Sequence, residues 1–519
     1  MPYVRALVAL AAVLASGCRA GHRADAPSPV EVVVDARAPS RPISPYIYGV
    51  NRLDTTRGLE GVVTLVRFGG TRVSTYNWEN DASNSGHDPP GHQNDGWLSE
   101  REEPGSAVLA VLERARALGA AALVQVPMLG HVAADRRADG DVSRTPDYLR
   151  TRFVRSLPRG GRSDPSDSAV HQDAFVRFVR REAEARGVDV FFALDNEPAA
   201  WPVTHPRVRR DRLTYRELAA TSIVYARMIR HESPRSPIFG PVSFGWPAMR
   251  DLAGAPDANG RDFLAYYLDR MRREERRHGR RLLDVLDVHW YPDVEVNGRR
   301  VASAADDGEL ARVRMQLPRS LYDESYREPS WIAEDLGPVR LLPRLARTVR
   351  EHYPGTKLAI TEYAYGGGAA PSGAVAQADA LGAFGRYGVF AAAWWPLSDH
   401  ERHDYALAAF RMFRRVDGEV SFGDRSIPAR SSDLSRLSAW ASVDSARPDR
   451  VVLVLVGKSD REEVARLTLR RSRARIARRF VLDASAPQPM PAPAIERTAS
   501  GVFEVPIPAR SVTTLIFDP

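Results

Sequence analysis

Short apolar runs and amphipathic helical stretches alternate through most of this chain, and that alternation restricts the fold more than any single motif does. In order, the runs are Ile47 to Asn51, Thr64 to Gly69, Ala121 to Pro127, Val190 to Glu197, Pro237 to Phe244, Val285 to Tyr291, Leu358 to Tyr363 and Val389 to Pro396. Between most of them the apolar spacing takes a helical period, at Ser106 to Leu118, His171 to Arg186, Tyr215 to His231, Asp262 to Arg277, Val339 to Tyr353 and Ala374 to Tyr387. Strands joined by crossover helices lie parallel. Eight of them predict an α/β fold, a TIM-like (β/α)8 barrel over residues 47–423, whose functional groups belong at the C-terminal strand ends.

After Gly423 the helical period gives way to a period of two. Leu437 to Asp444, Arg450 to Gly457, Val464 to Leu469, Arg479 to Asp483, Val502 to Pro506 and Ser511 to Phe517 read as strands of an accessory β-sandwich over residues 424–519. Glu31 to Asp35 alternates with valine ahead of the first barrel strand and needs a sheet to pair with. Residues 31–46 are therefore assigned to an N-terminal strand that joins the sandwich.

Arg5 precedes an apolar run, Ala6 to Ala15, that is too short to span a bilayer and has the length of a signal-peptide core. The following Ala15-Ser16-Gly17-Cys18 resembles a bacterial lipobox. Residues 1–17 read as a lipoprotein-type signal peptide, Cys18 as the lipid-bearing N-terminus, and residues 18–30 as a tether; simple secretion is the alternative. The expected location is outside the cytoplasm, at the cell envelope or surface, with membrane contact only through the anchor. Cys18 is the only cysteine, so the folded part has no thiol for a disulfide, a metal or nucleophilic attack.

The formal net charge of +8 invites a nucleic-acid reading, but the pattern opposes it. Only Lys357 and Lys458 are lysines, and the arginines are spread along the chain among Asp and Glu. No nucleic-acid partner is expected, and the chain is read as a monomer.

Two predicted strands end on glutamates, Glu197 in FFALDNEP and Glu362 in KLAITEYAY. A carboxyl pair on a rigid scaffold is the minimum equipment for glycosidic cleavage, although a salt bridge or a helix N-terminal charge would give either residue the same appearance. Other predicted strand ends carry sugar-type groups: Asn51; Arg67 with Gly69-Gly70; Gln125; Asn196; Ser243 with Trp246; His289, Trp290 and Tyr291; Tyr363; Trp394 and Trp395. Sugars need polar groups for their hydroxyls and aromatic faces for their C–H surfaces. Asn196 suits a substrate 2-hydroxyl, with a cap on the following helix from Asp195-Asn196 as the alternative, and Arg67 suits a nucleophilic carboxylate or a barrel-floor salt bridge. His289 and Tyr291 share a strand face and suit a catalytic carboxylate, while a buried, satisfied histidine is equally in keeping with His289. Of Trp394 and Trp395, on opposite faces, one is expected as a platform and the other as core. No cofactor is expected for catalysis. Glu79, Asp81 and Asp88 offer oxygen ligands for a structural calcium without EF-hand spacing, a solvated loop being the plainer reading; no other metal set is assigned. P-loop, GxGxxG, HExxH and GxSxG motifs are absent.

The segments FGGTRVSTYNWENDASNSGHD (Phe68 to Asp88), LDNEPAAW (Leu194 to Trp201), LDVLDVHWYP (Leu283 to Pro292), LPRSLYDESY (Leu317 to Tyr326), ITEYAYGGG (Ile360 to Gly368) and FRMFRRVDG (Phe410 to Gly418) resemble glycoside hydrolase family 44. The resemblance runs from about Pro45 through the sandwich. It implies a retaining endo-β-1,4-glucanase, often also active on xyloglucan, with Glu197 as acid/base and Glu362 as nucleophile. Ala364 departs from the asparagine common two residues after the family's nucleophile, which puts preference among glucans in doubt. Two alternatives stand beside this: the same scaffold acting on xylan, mannan or another β-glycan, and a surface lipoprotein that binds glycan without cleaving it.

Overall fold

A computed structural model describes residues 28–51, 58–160, 169–397 and 402–519; the signal segment and Cys18 lie outside them. Eight parallel strands close on themselves: β1 (Gly49–Val50), β2 (Leu65–Phe68), β3 (Ala121–Val126), β4 (Val190–Leu194), β5 (Ile238–Ser243), β6 (Val285–Trp290), β7 (Lys357–Tyr363) and β8 (Val389–Trp394). Each pairs with its neighbour in sequence and β8 returns to β1. Every apolar run of the predicted barrel became one of these strands. The runs are buried on both faces because alternate side chains fill two cores. Inward-pointing Leu65, Leu123, Phe191, Ala193, Phe239, Val285, Ala359 and Ala391 plug the barrel, while the outward set packs under the surrounding helices.

Beyond the barrel lie a seven-stranded and a four-stranded sheet. The strand Val30–Asp35 sits in the smaller one, parallel to Glu463–Arg470 and antiparallel to Ala429–Ser431. One strand runs against the sequence reading. Ala486–Glu496 carries Pro487, Pro489, Pro491 and Pro493, yet pairs with Ile476–Asp483 at the edge of the larger sheet. N–H groups of successive residues point to opposite edges, so proline at every second position is compatible with pairing on one side only. The free edge this leaves has few donors for another chain.

The larger sheet packs on the helix Pro371–Tyr387, which follows β7. At that seam Lys458 and Asp379 form an ion pair of 2.8 Å with both side chains fully buried. Lys458 Nζ also donates to Ser438 Oγ at 2.7 Å and the Leu434 carbonyl at 3.0 Å, and Asp379 accepts from Trp440 Nε1 at 3.0 Å. A charge removed from water needs all of these partners. Lys458→Met, which strands the Asp379 carboxylate, is expected to lower stability by about 3–5 kcal/mol. Adding Asp379→Asn should recover much of that loss, a non-additivity that urea denaturation of the single and double variants measures.

Candidate active site

Arg67, on β2, organises the C-terminal mouth of the barrel. Its side chain is buried, and its planar fork matches acceptors from three other strands. Nη1 donates to Glu362 Oε1 and to Asn51 Oδ1, each at 2.8 Å, and Nη2 donates to Asn196 Oδ1 at 2.6 Å. The chain leaves β2 directly over this group: a Cβ at Gly69 would lie 2.7 Å from the guanidinium carbon. A Cβ at Gly70 would lie 2.6 Å from the Trp395 ring, so the two glycines let backbone, cation and indole close up.

The two glutamates reach the mouth by breaking the alternation of their strands. Pairing in β4 stops at Leu194, three residues short of the predicted end, because Asp195 and Glu197 adopt left-handed backbone with φ of 61° and 44°. For residues other than glycine this costs about 1–2 kcal/mol each, and it turns Asn196 and Glu197 into the mouth. In β7 the device is a register shift: Val288 pairs with Ile360, but His289 pairs with Glu362. Thr361 is the extra residue of this bulge. Ala359 points into the barrel, so without the shift Glu362 would face the helices. With it, Tyr363 does so instead, its ring 5.0 Å from Phe384.

Glu362 accepts from Arg67 and, through Oε2, from the Tyr291 hydroxyl at 2.9 Å. These are the partners of an ionised carboxylate. Glu197 Oε1 lies 2.7 Å from His289 Nδ1. Burial pushes Glu197 up to about 7; the charges of Arg67 and His87 pull it back and that of Asp88 adds to the rise. Burial also pushes His289 down to about 3, so its ring is neutral around pH 7. Tyr291 is held well above its usual range, chiefly by burial and then by the two carboxylates, and remains a donor. One oxygen from each glutamate and a His289 nitrogen all lie within 4.8 Å of one another. Two carboxyls this close, one against a cation and a phenol and the other against a neutral imidazole, are suited to proton transfer beside nucleophilic attack.

The other sequence-predicted residues divide into liners and supports. Asn196 lies in the mouth beside Arg67. Asn51 is spent on structure, its Nδ2 donating to the Thr361 and Ala393 carbonyls at 2.9 and 3.0 Å. Gln125 is fully buried; it accepts from Gly70 N–H at 2.9 Å and donates to Ser74 Oγ and Asp195 Oδ1. Asp195 is not a helix cap but a buried hub, also accepting from Ser74 Oγ at 2.5 Å and from the Met128 and Asn196 amides. Trp395 is half-buried beside Gly70, whereas Trp394 is core and packs on His403. Trp246, Trp290 and Tyr363 are buried too, a correction to their placement in the mouth, and Ser243 is 2% exposed. Trp290 and Tyr363 point outward because they alternate with His289 and Glu362. Ala364 is likewise buried among apolar residues. The acidic loop does not gather into an oxygen cage. Asp81 accepts from the Tyr76 hydroxyl and from the Ser106 and Ala107 amides at 2.7 and 3.1 Å, capping the helix Ser106–Leu118 from outside, so the calcium expectation has no support. Sequence reasoning missed Asp287 and Thr361, both inside the barrel beneath His289. The available signal was an aspartate in the apolar run VLDVHW, two residues from His289 and on its face.

A family model described as glycoside hydrolase family 44 matches residues 74–294. Endoglucanase A of Paenibacillus lautus is 37% identical over 457 residues, covering 84% of this chain and 64% of that protein. The beta-mannanase/endoglucanase A of Caldicellulosiruptor saccharolyticus is 31% identical over 524 residues, covering 93% of this chain and 38% of that protein. The chain thus spans less than two thirds of the length of these curated relatives. Among solved structures, a family 44 xyloglucanase from Paenibacillus polymyxa matches with a TM-score of 0.88 and 34% identity, covering 94% of this chain and 99% of that one.

The electrostatics of the mouth are directly measurable. In a protein labelled with 13C at glutamate side-chain carboxyls, one resonance is expected to titrate near pH 7, far from the usual glutamate range, and to vanish in Glu197→Gln.

Proposed function

Because this chain belongs to glycoside hydrolase family 44, we propose that its barrel mouth cleaves β-1,4-linked glucan internally, cellulose-type or xyloglucan, by a retaining double displacement. The observation that carries this reading is the carboxyl pair, with one oxygen of each within 4.8 Å of the other, Glu362 bound by Arg67 and Tyr291 and Glu197 raised to about 7. Retaining glycosidases hold their two carboxyl groups about 5–5.5 Å apart, whereas inverting ones leave about 6.5–9.5 Å for a water.

In the first half of the reaction Glu362 attacks the anomeric carbon, the glycosidic C–O bond breaks, and the Glu197 proton goes to the leaving oxygen. In the second, water attacks the same carbon, Glu197 takes its proton, and Glu362 departs as carboxylate. No cofactor enters either step. Asn196, oriented through its oxygen by Arg67, presents its amide N–H groups to the substrate 2-hydroxyl. Trp395, half-buried over Gly70, supplies a ring face beside them. A polymeric glucan does not cross a membrane unaided, so the reading also takes residues 1–17 as an export signal and Cys18 as the lipid anchor.

A reducing-sugar assay on carboxymethyl cellulose and xyloglucan tests the reading, with xylan and mannan as comparison polymers and unassisted binding without product as the outcome that would make the protein a glycan binder. Glu362→Gln should lower turnover by about 10⁴-fold with the fold intact, and 1H NMR of the initial product should show the β-anomer. Glu197 loses its proton as pH rises through about 7, so kcat/KM on the polymer should fall above that pH. Substantial activity in Glu362→Gln, or an inverted product, would refute the mechanism.

A further inference from the structure

Asp287 lies on β6 two residues before His289, inside the barrel, and is fully buried. An ionisable group there carries a large desolvation penalty unless its partners compensate. Among the described residues, the hydrogen bonds of its carboxyl go to Thr361, the extra residue of the β7 bulge. The Thr361 hydroxyl lies 2.9 and 2.8 Å from the two carboxylate oxygens, and the Thr361 N–H donates to Oδ1 at 3.3 Å. On its other side the Thr361 oxygen is 3.3 Å from His289 Nε2, and His289 Nδ1 is 2.7 Å from Glu197 Oε1. A buried carboxyl, a hydroxyl and an imidazole thus form one chain that ends on Glu197.

The chain has a direction. A hydroxyl has one proton to give. When Thr361 donates to Asp287, its oxygen is left to accept from Nε2–H, and a neutral imidazole with its proton on Nε2 has a bare Nδ1. A bare Nδ1 accepts a hydrogen bond and so favours the protonated form of Glu197. If Asp287 did not attract the hydroxyl, Thr361 could donate to Nε2 instead; Nδ1 would then carry the proton and favour ionised Glu197. We propose that Asp287 is a positioning residue: acting through Thr361, it places the His289 ring proton on Nε2 and thereby keeps Glu197 protonated and aimed as an acid. This inference rests on the reading of Glu197 as acid/base. After Glu197 has given its proton to the leaving group, the same bare Nδ1 faces its carboxylate without a donor, which strengthens Glu197 as the base for the attacking water.

The surroundings fit. His289 Nδ1 also lies 3.4 Å from Glu362 Oε2, but that carboxylate already accepts from Arg67 and Tyr291, so it does not require a donor from the ring. Burial lowers His289 to about 3, so the ring is neutral and the choice of nitrogen is real. Burial raises Asp287 to about 7 against the pull of Arg67 and the Thr361 bonds, with Glu362 adding to the rise; whether ionised or neutral, the carboxyl keeps an oxygen without a proton to which the Thr361 hydroxyl can donate. Arg67, Glu362, His289 and Thr361 are the charged and polar groups that face Asp287 from β2, β6 and β7.

Two near-isosteric variants test the chain. Asp287→Asn removes the charge, and Thr361→Val removes the hydroxyl while leaving the charge in place. In both, the alkaline limb of kcat/KM should move down by about one pH unit. Activity at neutral pH on unactivated oligosaccharides should fall about tenfold, with kcat/KM on dinitrophenyl glycosides, whose leaving group needs no proton, unchanged. Equal loss on both substrates with an unmoved limb would reduce Asp287 to a structural group. A shift in Asp287→Asn alone would assign the effect to charge acting through space and overturn the chain. In the unsubstituted protein, 15N NMR should find His289 protonated at Nε2 and bare at Nδ1; the opposite tautomer overturns the proposal whatever the variants do. Glu197→Gln separates the two levels of argument. If it spares unactivated substrates, the acid/base reading fails; if it shows the leaving-group dependence and Asp287→Asn does not, only this inference fails.

Discussion

The bonds that Arg67 makes to Glu362, Asn51 and Asn196 are the constraint on which the rest of the mouth depends. One buried guanidinium draws the C-terminal ends of β1, β2, β4 and β7 to a common point. Its charge is compensated by Glu362, and its flat shape is accommodated by Gly69 on one side. An ammonium group would supply the charge but not the fork, which is why the arrangement calls for arginine. Around it, groups that might have met substrate become supports: Asn51 is held by backbone carbonyls, and Gln125 and Asp195 fill the space between the β2 turn and β4.

The second constraint is parity. A parallel barrel strand sends alternate residues inward and outward, which suits a plug of apolar side chains but does not by itself bring Asn196 and Glu197, neighbours in sequence, to the same mouth. β4 solves this by ending in left-handed backbone at Asp195 and Glu197, and β7 by the bulge at Thr361. Both are locally unfavourable conformations, held by the bonds around Asp195 and by those from Thr361 to Asp287. Strained backbone at the two strand ends that carry carboxyls is the pattern of a site prepared for chemistry.

Much of this was legible in advance because it follows from local periodicity. The eight barrel runs, the helices between them and the strand-forming tail each declare themselves within a window of a few residues. Glu197 and Glu362 were visible as carboxyls at strand ends, and His289 with Tyr291 as a pair on one face. Asp287 apart, what stayed hidden had no local signature. The proline-bearing Ala486–Glu496 looks unlike a strand until its position at a sheet edge is known. Tyr363 looks like a mouth residue until the bulge at Thr361 fixes which way the end of β7 faces.

The sequence by itself determined the fold class, the order of the strands and the identity of the two carboxyls, because hydrophobic period and strand-end chemistry are properties of short segments. The tertiary structure alone decided their different environments. Glu197 and Glu362 are both glutamates after apolar strands; what separates them is that Arg67 and Tyr291 converge on one, while the other, its side chain 21% exposed, lies against a neutral histidine. Those partners come from β2 and β6, distant in the chain, and their effect depends on distances of about 3 Å that only the closed barrel sets.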